Sequence, residues 1–180
     1  MEYKEKTLKV KNQYKGSFFE VETIDVKLPD GNESKRDIIR HPGAAVIIAI
    51  DNENKIYMVR QFRKAIEKDL LELPAGKLDF KGEKPIDCAK RELKEETGLT
   101  ASEFKHLTTI YSAPGIMDEK LHIFLARGLE QGEAEPDEEE FLDVEKYNLK
   151  ELEKMIFEGE LVDSKTIVGI MFIEKILRRT

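Results

Sequence analysis

The 180-residue sequence predicts an α/β protein because it combines a buried-strand pattern, amphipathic helices and alternating strand-like stretches at the N terminus. Residues 44–50 form a continuous apolar run containing β-branched residues, which is typical of a buried strand. Residues 84–97 bring Ile86, Ala89, Leu93 and Thr97 to one face of a helix. The length indicates one domain, with room for a small appended segment.

The remaining strands are predicted from short apolar runs and the turns that separate them. Residues 1–40 are expected to be extended, and PDGN at 29–32 is expected to join two strands. DNENK at 51–55 is a second turn. Further strands are predicted at 56–63, 69–76, 104–113 and 120–129.

Start and stop residues bound three predicted helices. Pro85 is tolerated in the first turn of the helix at 84–97, and Gly98 is a suitable C-terminal stop. A second helix at 149–159 is closed by Gly159. A third covers 163–178, with Asp163 or Ser164 as its cap. Residues 130–140 are predicted to form an acidic loop.

Composition and charge exclude several classes of partner. The formal net charge of −7 disfavours binding to a nucleic-acid backbone. No apolar run approaches the 18 residues of a membrane span, and the charged N terminus lacks the apolar core of a signal peptide. Cys88 is the single cysteine, so no intrachain disulfide is possible. These features predict a soluble cytoplasmic protein.

Acidic residues concentrate along one edge of the helix at 84–97. Glu92, Glu95 and Glu96 are three and four residues apart, a spacing at which like charges repel by a few tenths of a kcal/mol per pair. A bound Mg²⁺, which prefers carboxylate oxygens, would make the arrangement favourable. The alternative is an ordinary solvated helix face with ion pairs such as Arg91–Glu95.

The segment that leads into this helix resembles the signature of the Nudix hydrolases, G-x5-E-x7-R-E-U-x-E-E-x-G-U, where U is bulky and aliphatic. The matching positions are Glu83, Arg91, Glu92, Leu93, Glu95, Glu96, Gly98 and Leu99. One position departs, since six residues and not five separate Gly76 from Glu83. The resemblance implies a Nudix fold, which is a mixed β-sheet sandwiched between helices, here with an N-terminal antiparallel strand segment.

Three further stretches resemble the ADP-ribose pyrophosphatase branch of that family. SAPG places Pro114 sixteen residues after Gly98, and KRDIIRHPGAAVIIAI and VRQFRKAIEKDLLELPAGKL match the branch over most of their length. Residues 1–40 resemble its N-terminal strand segment, which exchanges between the subunits of a homodimer. The implied organisation is therefore a β-strand segment at 1–40 and a Nudix hydrolase domain at 41–180.

The resemblance also implies a role for each matching residue. It makes Mg²⁺, or Mn²⁺ in its place, the cofactor. The implied metal ligands are Glu92 and Glu96, the carbonyl of Ala75, and Glu83 and Glu140 in support. Arg91 would orient the glutamates and Glu95 would support the metal. Glu138 would be the catalytic base, with Glu139 as an alternative because the register of an acidic loop is uncertain.

Substrate-binding residues follow from the same resemblance. Arginine suits phosphate oxygens because it offers paired donors. Phe18 would stack on adenine across the dimer, although a buried strand position is the commoner role for phenylalanine. Some of the arginines would alternatively only balance acidic neighbours. The predicted substrate contacts are Arg36, Arg63, Phe18, Arg40, Glu119 and Gln61.

The expected activity is Mg²⁺-dependent hydrolysis of ADP-ribose to AMP and ribose 5-phosphate. His41, His106 and His122 form no triad, and Cys88 belongs to no nucleophile motif, so we expect no covalent intermediate. Two alternatives stay open: hydrolysis of other nucleoside diphosphate sugars, and a module that binds ADP-ribose without cleaving it. Retention of the helix glutamates disfavours the second, and the N-terminal segment and Pro114 disfavour hydrolysis of oxidised nucleoside triphosphates.

Overall fold

A computed structural model of the protein describes residues 3–79, 82–135 and 141–178. The chain divides into two compact units. The first comprises Met1–Gly43 and Tyr111–Lys120, and the second comprises Ala44–Ile110 and Leu121–Thr180. The predicted N-terminal segment, 1–40, therefore lies in a unit that also takes up a later stretch of the chain.

The first unit is built on a three-stranded antiparallel sheet in the order β1-β2-β3. Its strands are β1 (Lys6–Lys15), β2 (Glu20–Lys27) and β3 (Glu33–Arg40). The predicted PDGN turn joins β2 to β3. In this turn Gly31 has a positive φ of 90°, which glycine adopts without a steric penalty, and Asp30 accepts a hydrogen bond from the Asn32 backbone N–H at 3.0 Å.

The described strands that follow are β4 (Ala44–Ala49), β5 (Lys55–Arg63), β6 (Lys68–Glu72), β7 (Ala75–Lys77), β8 (Leu99–Tyr111), β9 (Lys120–Gln131) and β10 (Leu142–Asn148). They form two sheets, one in the order β10-β5-β6 and one in the order β7-β4-β9-β8. Strand β4 runs parallel to β9 and antiparallel to β7. The predicted mixed sheet is confirmed.

Helices cover both faces of β4, which is buried along its whole length. Its side chains alternate between the faces of the sheet. Ala45 and Ile47 pack in one apolar cluster with residues of α1 (Pro85–Thr97), while Val46 and Ile48 pack in a second cluster with α2 (Leu149–Glu158) and α3 (Ser164–Leu177). This arrangement confirms the expected sandwich of a sheet between helices.

The helix ends follow the predicted signals. Gly98 adopts a left-handed conformation with φ 71° after α1, and its N–H donates to the carbonyl of Lys94 at 2.8 Å. Asn148 and Glu151 form a capping box at the start of α2. Asp163 caps α3, so the prediction that offered Asp163 or Ser164 is resolved in favour of the aspartate.

One strand is longer than the sequence predicted, and another was not predicted. Strand β8 begins at Leu99, directly after the cap of α1, and not at 104. Strand β10 was not predicted at all, because it follows the acidic run and only its pairing with β5 gives its half-exposed residues a partner. Among the helices in the described part of the chain, none has the length and apolarity needed to cross a membrane.

Candidate active site

The glutamates of α1 lie on the edge of its buried face. Cys88, Ala89 and Leu93 are fully buried and hold the helix against the sheet. Glu92 and Glu96 are only 8% and 4% exposed. Burying a carboxylate is costly unless it is paired, so the solvated-face alternative does not describe these two side chains.

Gly76 of β7 provides the space into which Glu92 extends. A Cβ atom added to Gly76 would lie 1.9 Å from Cδ of Glu92 and about as close to both carboxylate oxygens. Strand β7 pairs with β4 through Ala45 and Gly76, so this backbone position is fixed by the central strand. Only glycine allows the carboxylate to approach so closely.

Glu96 is tied to the residue that precedes this glycine. The backbone N–H of Ala75 donates to Oε2 of Glu96 at 3.0 Å. The preceding carbonyl, that of Pro74, accepts the N–H of Ile47 at 2.8 Å. The structure therefore brings the side chains of Glu92 and Glu96 against the backbone of β7 at Ala75 and Gly76, so three of the predicted metal ligands lie close together.

Arg91 joins the other carboxylates. Its guanidinium donates to Glu92 at 2.7 Å, to Glu95 at 2.8 Å and to Glu83 at 3.2 Å. It also lies 3.3 Å from Asp79 and donates to the carbonyl of Lys77 at 3.1 Å. Arg91 therefore links several carboxylates and is not an isolated surface pair; its role in orienting them stays a prediction.

Glu83 belongs to the carboxylate cluster around Arg91, although the loop after Gly76 is one residue longer than in the Nudix signature. Its side chain is 7% exposed, and it accepts the Asp79 N–H at 2.7 Å as well as the hydrogen bond from Arg91. Both ends of the segment are therefore anchored. Phe80 and Lys81, which lie between them, are outside the described residues.

Burial dominates the electrostatics of the cluster. It raises the pKa of Glu92 to about 7, an effect that the hydrogen bond and charge of Arg91 only partly oppose. Burial and the charges of Glu92 and Glu83 raise the pKa of the Cys88 thiol to about 12. At neutral pH Cys88 is therefore a neutral thiol, which agrees with its exclusion as a nucleophile.

The donor chemistry of the cluster fits a hard divalent cation. Carboxylates and a carbonyl oxygen are the groups that Mg²⁺ binds. Arg91 and Lys77, which pairs with Asp79, do not balance the four carboxylates of Asp79, Glu83, Glu92 and Glu95. Within the three described ranges, however, no group of three acidic, histidine or cysteine side chains converges in a metal-holding arrangement. On binding an ion, the carboxylates would give up hydrogen bonds to Arg91 and ligate the ion instead.

Two predicted substrate residues lie on β5 in the same unit. Gln61 is half-buried, and in the sheet it lies opposite Leu142 of β10 on one side and opposite Leu70 of β6 on the other. Arg63 donates through Nε and Nη2 to the two oxygens of Glu72, at 2.7 and 2.8 Å. A guanidinium carries five N–H donors, so others are available to a phosphate.

Glu72 and Lys165 were not identified from the sequence. Glu72 is 1% exposed and also binds Lys165, whose ammonium lies 3.1 Å from Asp163. Burial opposes ionisation of Glu72 most strongly, but the hydrogen bond from Arg63 and the charge of Lys165 outweigh it and keep its pKa below the ordinary value. Glu72 and Lys165 are 93 residues apart, so no local pattern reveals the pair.

Four predicted substrate residues belong to the first unit. Arg36 binds Glu5, and Arg40 binds Glu22 and Asp118, so both arginines have acidic partners. Glu119 lies 3.3 Å from His41, whose ring meets the ring of Phe18 edge-on at 5.6 Å. Phe18 is half-exposed and is not a core residue.

The predicted base and the fifth predicted metal contact fall in the acidic run of the sequence at 130–140. Glu138, Glu140 and the alternative base Glu139 all lie outside the described residues. Their roles stay predictions.

Comparison with known proteins identifies the family. The profile of the NUDIX domain matches residues 39–167, which is most of the chain. The chain belongs to the NUDIX family. The carboxylate cluster of α1 and the loop before it lie within the matched Nudix region.

Three similar proteins illustrate how far the likeness extends. A methanol dehydrogenase activator of Bacillus methanolicus is 44% identical over 96% of this chain and 94% of its own length. An ADP-ribose pyrophosphatase of Bacillus subtilis is 42% identical over 94% of this chain and 92% of its own. The crystal structure of an ADP compounds hydrolase superposes with a TM-score of 0.84 at 22% identity, covering 97% of this Nudix chain and 95% of its own.

We predict that Gly76→Ala destabilises the protein by about 2 kcal/mol, because the new methyl group would overlap the buried Glu92 carboxylate. The measurement is the free energy of unfolding in denaturant. Gly115→Ala is the control, since a Cβ there would meet no atom within 4 Å. Equal stability of the two variants would contradict the close approach of Gly76 and Glu92.

We predict that Glu72→Gln destabilises the protein by about 3 kcal/mol at pH 7, because it leaves Arg63 and Lys165 without their buried anion. The pKa of Glu72 is lowered by folding, so its stabilisation is present above pH 4.5 and is lost as the pH falls through the folded value. The difference from wild type should therefore shrink on acidification. Glu67→Gln, which alters an exposed pair with Lys64, should show little difference at any pH.

Proposed function

We propose that this protein is a Mg²⁺-dependent pyrophosphohydrolase that cleaves ADP-ribose to AMP and ribose 5-phosphate. The observation that carries the proposal is the buried carboxylate cluster around Arg91 and Gly76. The 42% identity with a protein named ADP-ribose pyrophosphatase, over nearly the full length of both chains, supports the substrate. Hydrolysis of other nucleoside diphosphate sugars is the second candidate.

In the proposed reaction, water adds to one phosphorus of the diphosphate and the bridging P–O bond breaks. Glu92, Glu96, Glu83, Glu140 and the Ala75 carbonyl would hold the metal. When bound, the metal supplies charge neutralisation at the phosphates and a lowered pKa of the attacking water.

The other residues of the site act on charge and protons. Arg91 holds Glu83, Glu92 and Glu95 in place through its hydrogen bonds. The N–H groups of Arg63 that Glu72 does not use would donate to a phosphate oxygen. Glu138 would accept the proton of the attacking water, and Gln61 would bind another part of the substrate. For Arg36, Arg40, Phe18 and Glu119, a substrate-binding role is what the resemblance to the ADP-ribose pyrophosphatase branch implies.

The proposal predicts that phosphate is released from ADP-ribose, through a coupled phosphatase, with Mg²⁺ and not with EDTA. Glu138→Gln should lower kcat roughly 10²–10⁴-fold, the usual range for loss of a general base. Glu96→Gln should raise the Mg²⁺ concentration needed for half-maximal rate. Glu103→Gln, at an exposed position of β8, should leave both kcat and this Mg²⁺ concentration unchanged.

The same assay separates the alternatives when it includes ADP-glucose and ADP-mannose. Faster cleavage of one of these than of ADP-ribose would favour the second candidate. Binding of ADP-ribose without cleavage of any compound would identify a binding module. Undiminished hydrolysis in EDTA would contradict the metal-dependent mechanism.

We also propose that the protein is a homodimer joined through its N-terminal strands. Strand β1 is an edge strand, since its sheet has the order β1-β2-β3, and all ten of its residues are exposed. Leu8, Val10 and Tyr14 are large apolar residues at alternate positions along it, each at least 44% exposed. An exposed apolar edge strand is a site for pairing with another chain.

Sedimentation velocity tests the dimer. We expect the wild type to sediment as a species of twice 20.8 kDa, and Val10→Lys to shift it toward a monomer because a charge would replace an apolar contact. Lys11→Gln, on the same strand, is the control and should remain dimeric. A monomeric wild type at micromolar concentration would contradict the proposal.

A further inference from the structure

We propose that Thr166 of α3 is a positioning residue for the active site: its hydroxyl fixes the Leu73–Ala75 segment and thereby the Ala75 carbonyl. The inference rests on the proposed function, in which that carbonyl is a metal ligand. Neither the sequence motif nor the predicted ligand set includes any residue of α3.

The Leu73–Ala75 segment joins β6 to β7 and is held by three elements. The N–H of Leu73 donates to Oγ1 of Thr166 at 2.8 Å. The carbonyl of Pro74 accepts from Ile47 of β4 at 2.8 Å, and the N–H of Ala75 donates to Glu96 of α1 at 3.0 Å. Helix α3 therefore supplies one of the hydrogen bonds that locate the segment.

The hydroxyl of Thr166 has a fixed orientation. The residue is fully buried, and Oγ1 donates its single proton to Oδ2 of Asp163 at 2.6 Å. Only its lone pairs remain for Leu73, so the hydroxyl can act toward this N–H solely as an acceptor. Asp163 is itself held as the cap of α3 and by Lys165 at 3.1 Å.

A second contact between α3 and Leu73 is independent of this hydrogen bond. A Cβ atom added to Gly169 would lie 2.5 Å from Cδ1 of Leu73, so the helix backbone touches that side chain. Thr166 and Gly169 are three residues apart and share a helix face. Helix α3 thus contacts both the backbone N–H and the side chain of Leu73.

The position of Leu73 is transmitted to Ala75 over a short and stiff piece of chain. The intervening residue is Pro74, whose ring fixes φ near −65°, and the peptide groups are planar. Displacement of Leu73 would therefore move the carbonyl of Ala75 relative to Glu92 and Glu96. A role limited to stability would instead leave the ion-binding affinity of the folded protein unchanged.

The test is a titration of the intact protein with Mn²⁺, followed by the electron paramagnetic resonance signal of the free ion. Thr166→Val keeps the shape but removes the acceptor, and we expect it to weaken Mn²⁺ binding about tenfold or more, as loss of a support to a metal ligand typically does. Thr166→Ser keeps the hydroxyl and should bind within about twofold of wild type. Ile173→Val, which trims a buried side chain of α3 but leaves the Thr166 hydroxyl in place, is the control for general destabilisation and should bind like wild type.

If Thr166→Val does not fold, Gly169→Ala is the second test. Alanine favours the helix but would push against Leu73, so we expect weaker Mn²⁺ binding in a folded protein. Wild-type affinity in folded Thr166→Val would overturn the positioning role; if that variant does not fold, wild-type affinity in Gly169→Ala would overturn it. Failure of the proposed function gives a different result, because the wild type itself would then neither hydrolyse ADP-ribose nor bind Mn²⁺. If the wild type does both, wild-type affinity in the variants counts against the role of Thr166 alone.

Discussion

The site depends on one guanidinium shared among several carboxylates. Arg91 contacts Asp79, Glu83, Glu92 and Glu95, and Lys77 also pairs with Asp79, so two positive charges face four acidic groups. Such an arrangement is unfavourable when it is buried unless further positive charge is available. Burial is the main cause of the raised pKa of Glu92, about 7, and the charges of Glu95 and Asp79 add to it. A divalent cation is the simplest species that would supply the missing charge.

The fold provides the cluster with rigid support. Central strand β4 places β7 on one edge and packs against α1, so the backbone at Gly76 and the side chain of Glu92 are brought together by the core. Helix α3 packs on the other face of the same strand and reaches the loop before Gly76 through Thr166. The stability of the sandwich and the geometry of the site therefore have a common origin.

Local patterns in the sequence predicted the elements whose signals are short-range. Helix α1, its stop at Gly98 and buried strand β4 were predicted because periodicity and capping depend on neighbouring residues. Strand β10 was missed because its exposed and half-exposed residues gain order only by pairing with β5. The ion pair of Glu72 with Lys165 was missed for the same reason, since it joins β6 to a helix 93 residues away. The motif indicated that Glu92 and Glu96 act together, but not that Gly76 makes room for one and Ala75 binds the other.

Calorimetric titration of Mg²⁺ into the protein, with and without a non-hydrolysable ADP-ribose analogue, tests the role of the buried carboxylates most directly. We expect weak binding of the ion alone and tighter binding with the analogue, and we expect Mg²⁺ binding to be lost in both cases when Glu92 and Glu96 are replaced by glutamine. Mg²⁺ binding that persists unchanged in that double variant would contradict the claim that the buried carboxylates of α1 bind the cation.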